Sequence, residues 1–154
     1  MHNAILINNL IMRNIHFFIK VLIVYLFITS NSLGAKSDSF SKGIEHFNKK
    51  EFDKSKIFFE KDIVFNPKNE NSYLYLAKIY KIKKNDIMEE SNLKTVILLN
   101  PSNEEAVRDL ALLKIRKSNY SETEKLILDL KSICKKLCSD TSKLQEKLNN
   151  SLKN

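Results

Sequence analysis

Two glycines and two prolines in 154 residues leave this chain almost no turn-forming residues. Sandwiches, barrels and doubly wound sheets reverse direction through such residues many times, so those folds are excluded. Tryptophan is absent, and there are three histidines and two cysteines. No Gly-rich phosphate loop, nucleophile elbow, His-Glu-x-x-His or Cys-x-x-Cys-His occurs. The chain therefore reads as a non-enzyme, with no cofactor, no metal and no small-molecule substrate. His46, without a spaced partner, is expected to pack rather than to ligate. No apolar run approaches the roughly 20 residues of a membrane-spanning helix.

Lys, Glu, Leu and Ile are abundant, which favours helices joined by short loops. The formal net charge is +8. Without Arg13 and Lys20, which lie in the N-terminal segment, 24 basic residues face 18 acidic ones. The excess is lysine scattered between carboxylates. A nucleic-acid footprint needs clustered Arg/Lys with aromatics, so no nucleic-acid partner is expected. A weak pull toward anionic partners or membrane surfaces remains.

Residues 13–20 carry Arg13 and Lys20, Val21 to Ile28 form an apolar run of eight, and Thr29 to Ala35 are small or polar. That order is the layout of a secretory signal peptide over residues 1–35, with cleavage after Gly34 or Ala35. A start at Met12 would give a conventional signal. The expected localisation is export, to the periplasm if the source is Gram-negative. The alternative is an uncleaved signal anchor on a membrane-bound helical structural subunit, because the stretch from Ala4 to Ile11 is also apolar.

Asn66-Pro67 and Asn100-Pro101 are 34 residues apart. The residue before a proline is disfavoured in the α region, so each pair ends a helix. Asn69 and Asn103 then suit N-caps, and Glu70, Glu104 and Glu105 suit the positive helix start.

These spacings resemble the tetratricopeptide repeat, a helix-turn-helix of 34 residues. Residues 36–69 read as repeat one, with Gly43, Phe52, Ser55, Phe59 and Pro67 at the family's positions. Residues 70–103 read as repeat two, through Tyr73, Leu76, Ala77, Tyr80 and Pro101. Residues 104–137 read as a degenerate third repeat, with Ala106, Leu110 and Ala111, and with Ser118-Asn119-Tyr120 where the family has Gly-Asp-Tyr. Departures are Asp62 and Glu89 at positions usually small and buried, Lys50 and Lys84 in place of turn glycines, and no proline in repeat three, which reads on through Lys135-Lys136. A generic helical bundle with two coincidental Asn-Pro turns is the competing reading.

The resemblance implies an all-α fold: antiparallel helix pairs stacked as a short right-handed solenoid, closed by a capping helix over 138–154. In that helix Ser142 and Gln145 suggest a capping box, and Leu144, Leu148 and Leu152 a single apolar stripe. The resemblance also implies a concave groove lined by the first helix of each repeat. It assigns Phe40, Ile44 and Phe47 to the groove from repeat one. Leu74, Lys78, Lys81 and Ile82 follow from repeat two, and Arg108, Leu112, Ile115 and Arg116 from repeat three. Apolar anchors beside a basic stripe suit an acidic and apolar segment of another protein, as a scaffold or assembly factor of the cell envelope would bind it. The carboxylate-clamp subfamily has Asn where this chain has Ile44 and Lys78, which argues against that mode. Cys134 and Cys138 resemble the cysteine pair near the end of small exported proteins of this kind. A disulfide, two free buried thiols, or a metal or redox role are the readings they admit.

Overall fold

A computed structural model describes residues 38–153 together with Ile19, Lys20 and Leu22. Apart from those three residues, the expected signal segment lies outside the described residues, as do its cleavage positions and the Met12 start. Within 38–153 the chain forms seven helices and no strand. They are α1 (Asp38–Asn48), α2 (Phe52–Phe65), α3 (Glu70–Ile82), α4 (Asp86–Leu99), α5 (Glu104–Arg116), α6 (Tyr120–Ile133) and α7 (Cys138–Leu152). The helices pair as α1/α2, α3/α4 and α5/α6, each pair packs on the next, and α7 covers α5 and α6. None of the described helices is long and apolar enough to cross a membrane.

Two kinds of turn alternate. Within each pair the helix ends on a residue with positive φ: Lys50 at 60°, Lys84 at 56° and Ser118 at 54°. These stand 34 residues apart, where the resemblance led one to expect glycine. A side chain at such an angle costs on the order of 1 kcal/mol. The same hydrogen bond closes all three turns: the amides of Glu51, Asn85 and Asn119 donate to the carbonyls of His46, Tyr80 and Lys114, each at 2.9 Å. That six-to-one bond satisfies carbonyls left over at the helix end.

Between pairs, the Asn-Pro turns are held by carboxylates. Asp62 is 1% exposed and accepts from Asn66 Nδ2, Asn69 Nδ2 and Ser72 Oγ at 3.1, 2.6 and 2.6 Å. A buried carboxylate is tolerable only when its lone pairs are filled in this way. Asn69 therefore turns its side chain to Asp62 and does not cap α3, unlike Asn103, which accepts from the Ala106 amide. Glu70 accepts from Asn100 and Asn103 at 2.9 and 3.3 Å. Glu104, one repeat later, accepts from the backbone amides of Lys135, Lys136 and Leu137.

The third turn differs from its sequence reading. The helix does not run on through Lys135-Lys136; it stops at Ile133 although no proline is present. Cys134 occupies the position of Asn66 and Asn100, and a disulfide ties it to Cys138, with Cα atoms 5.1 Å apart. Because α7 starts at Cys138, Ser142 lies inside it, donating to the Ser139 carbonyl, and does not form a capping box. Leu144 and Leu148 are buried against the last pair, while Leu152 is 55% exposed and lies outside the stripe that packs.

Two apolar clusters fill the interior. The first is built around Phe59, Leu76 and Ile79, with Phe40, Ile44, Phe47 and Tyr75 against it. Gly43 is required here: a Cβ would stand 2.6 Å from the Phe59 ring. Ser55 also keeps the two helices close, donating to the Gly43 carbonyl at 2.8 Å. The second cluster is aliphatic and runs from Leu74 and Leu93 through Leu110 and Leu113 to Leu130, Leu144 and Leu148.

Candidate binding groove

The first helices α1, α3 and α5, with α7 beside them, form the face on which the groove residues were placed. Its character changes along its length. At the α1/α3 end it is aromatic. Tyr75 stacks on Phe59 with centroids 4.9 Å apart and meets Phe47 and Phe40 edge-on at 5.0 and 6.2 Å. Phe40, Ile44 and Phe47 are half-buried in this cluster. They form an apolar floor against Tyr75, over whose ring the Lys78 ammonium lies at 4.9 Å.

Toward α5 and α7 the face becomes a ladder of charge. Lys78 pairs with Glu105 at 3.0 Å and Lys81 with Asp109 at 3.9 Å. Arg108 donates to Asp109 from two guanidinium nitrogens, at 2.9 and 2.8 Å, and its third nitrogen lies 3.6 Å from Asp140. Asp140 is closed from the other side by Lys143 at 2.9 Å. The Lys143 ammonium, and then Arg108, hold the Asp140 carboxyl below the usual carboxylate range. The basic stripe expected from the sequence is thus largely neutralised by Glu105, Asp109 and Asp140, three acids that the sequence reading did not place in the groove. Glu105 and Asp109 flank Arg108 on one face of α5, at i−3 and i+1, and that spacing was available as a signal.

Four of the eleven assigned groove residues are placed elsewhere or at the margin. Leu74 and Ile115, 5% and 7% exposed, belong to the aliphatic core and offer nothing to a partner. The face turns them inward because the next helix packs over them. Arg116 reaches α4, meeting Asp86 at 3.0 Å and Glu89 at 2.6 Å. Ile82 is 49% exposed at the very end of α3.

Where α7 leans against α5 a cleft of about 270 Å³ opens, lined by Arg108, Leu112, Asp140, Lys143, Leu144 and Lys147. Leu112 and Leu144 supply an apolar wall. Three cations and one carboxylate surround it, and the Lys147 ammonium has no ion-pair partner among the described residues. The α7 residues were expected only to cap the array, so this cleft was not legible without knowing where α7 lies.

Behind the groove a second charge cluster fastens α4, α5 and α6. Lys114, buried, donates to Glu90 and Glu122, both at 2.7 Å. Glu90 also accepts from Lys94 and Lys117 at 2.7 Å. Hydrogen bonds from Lys114 first, then Lys117 and Lys94, hold its carboxyl far below the usual range. Its neighbour Glu89 behaves oppositely. It is 1% exposed, one oxygen has no partner, and burial pushes its pKa up against the pull of Arg116. His46 stacks on Phe58 and lies 2.5 Å from Glu51, a packed position. Among the described residues no group of His, Cys, Asp and Glu is arranged to hold a metal.

No protein-family model matches the sequence, and no curated protein matches it. Solved structures do match the fold. The TPR2B domain of yeast Sti1, solved in a complex with pHsp70, superposes with a TM-score of 0.69 at 13% identity, over 75% of this chain and 96% of that one. The Arabidopsis OM64 TPR domain gives 0.68 at 16% identity, over 75% and 95%. The first TPR of Spaghetti (RPAP3), bound to the HSP90 peptide SRMEEVD, gives 0.66 at 18% identity, over 75% and 94%. The fold of residues 38–153 is that of tetratricopeptide-repeat domains.

Proposed function

We propose that this protein is a non-catalytic interaction module that holds an acidic and apolar segment of another protein on its concave face, anchored in the cleft between α5 and α7. The cleft carries the reading. Leu112 and Leu144 offer a wall for one apolar side chain, the Lys147 ammonium beside it has no ion-pair partner among the described residues, and Lys143 shares Asp140 with Arg108. The aromatic floor at Phe40, Phe47 and Tyr75 extends the same face for further apolar contacts. Two solved structures of similar fold hold an HSP90 peptide and pHsp70, which supports a segment of protein as the kind of ligand.

Selection of random peptides on the immobilised full chain tests this. The selected sequences should place Asp or Glu beside a large apolar residue. The Lys143→Glu, Lys147→Glu double variant should bind them about tenfold or more weakly, a loss of the size seen when charges facing a ligand are reversed. Selected peptides without acids, or unchanged affinity in the variant, would sink the reading.

The envelope is the proposed place of action, supported by the charged, apolar and small-residue order of residues 13–35. Intact mass of the native protein decides it: a chain beginning near Ala35 or Lys36 supports export and cleavage, and one retaining residues 13–34 supports the anchored subunit.

A further inference from the structure

Three closing turns, residues 64–68, 98–102 and 132–136, stand one repeat apart along one edge of the stack. The edge is apolar where side chains should be polar: Val64, Phe65 and Leu98 are 74%, 64% and 81% exposed. Beside them Lys61, Lys68, Lys135 and Lys136 are exposed, with no ion-pair partner among the described residues. Lys61, Val64 and Phe65 fall at i, i+3 and i+4 on one face of α2, and Lys68 follows in the turn after the helix ends at Phe65.

Charge on this edge is lopsided. Most lysines elsewhere on the fold are tied to acids, among them Lys42, Lys49, Lys56, Lys83 and Lys114. The acids near the closing turns are already engaged. Asp62 is buried among Asn66, Asn69 and Ser72, and Glu70 holds Asn100 and Asn103. Glu104 holds three backbone amides, and Asp38 and Asp140 pair with Lys42 and Lys143. Asp129, exposed on α6, is the exception.

We propose that this edge docks on an anionic lipid surface, with Val64, Phe65 and Leu98 entering the headgroup boundary and the four lysines meeting lipid phosphates. The apolar side chains stand well exposed at 74%, 64% and 81%, beside lysines that no acid among the described residues neutralises, which matches an anionic interface. A planar interface accepts protruding apolar side chains flanked by lysines, whose stems let the ammonium stay at headgroup level. Each lysine near an anionic membrane adds attraction of about fivefold in partitioning. The described body also begins on this edge, because α1 runs antiparallel to α2 and so starts beside its end. In sequence only residues 29–37 separate Asp38 from the apolar run at 21–28.

Flotation of the full chain with vesicles of phosphatidylcholine alone, and of an equimolar mixture with phosphatidylglycerol, tests the proposal. The N-terminal run, with its Arg13 and Lys20, is the same in every variant, so the readout is the part of the gain on the anionic vesicles that depends on the edge. That gain should be about tenfold or more and should fall as salt rises. It should disappear in the variant carrying K61S, K68S, K135S and K136S, and drop severalfold with V64S, F65S and L98S. A control with K50S, K84S, K125S and K153S removes the same charge away from this edge and should keep the gain. No gain on anionic vesicles, or equal loss in the control, overturns the proposal. Circular dichroism of each variant confirms the helices are intact.

Discussion

The two halves of the groove face use different physics. Between α1 and α3 the interface is aromatic and uncharged, with Phe40, Phe47, Phe59 and Tyr75 in one cluster. From α3 to α7 the interior is aliphatic and the face is laced with ion pairs, from Lys78–Glu105 to Lys143–Asp140. Aromatic packing is indifferent to salt and pH, whereas charge ladders respond to both. A single stack of near-identical units can therefore have one end fixed by shape and the other adjusted by its surroundings.

The largest expected effect breaks the aromatic half alone. Phe59→Ala removes the ring that fills the space over Gly43 and should cost about 3–5 kcal/mol. Because each unit touches only its neighbours, amide hydrogen exchange should show α1 and α2 losing protection while α5 to α7 keep theirs. Uniform loss across all helices would mean that the halves are not separable.

A middle-sized effect probes the charged half. Glu90→Gln leaves the buried Lys114 with Glu122 alone and should cost about 1–3 kcal/mol at neutral pH by urea denaturation. The sign with pH follows from the direction of the shift. The Glu90 carboxyl is depressed in the folded state, so its contribution is present above the unfolded value of about 4.3 and lost as pH falls below it. The gap between wild type and variant should close on acidification. Glu89 has the opposite sign. Its raised pKa makes stability fall as pH rises through the folded value, so Glu89→Gln should flatten that loss. Parallel pH profiles for all three proteins would refute the assignment.

The smallest effect asks whether the halves share a common turn. Lys84 sits at φ 56° between them. Lys84→Gly removes the strain of the side chain at that angle, partly offset by the greater freedom of glycine in the unfolded chain. The expected gain is about 0.5 kcal/mol, read as a small rise in melting temperature. A loss would show that the lysine stem contributes packing there.

Much of the architecture was legible because it repeats. The 34-residue spacing of the Asn-Pro turns, with Gly43, Ser55 and Phe59 at small and large positions, located the helix pairs and their close approach. The third turn was not legible, since the signal used for the first two was proline and the chain there uses a cysteine bridge and the Glu104 carboxylate. Asp62 and Glu89 stood out as departures, but a sequence does not say that one finds three donors and the other leaves an oxygen unpaired. The face to which the groove residues were assigned was half legible. Register on a helix predicts a face, and Phe40, Lys78, Arg108 and Leu112 lie on it. Register does not predict how far the next helix slides over that face, which is why Leu74 and Ile115 are buried.

Local chemistry along the chain determined the helices, their 34-residue period and their antiparallel pairing, because turn residues and apolar spacing act over a few residues at a time. Only the tertiary structure decided which lysines are neutralised and which stand free, and where α7 opens a cleft against α5. Those outcomes depend on side chains some thirty residues apart meeting across neighbouring helices, and no local pattern records that distance.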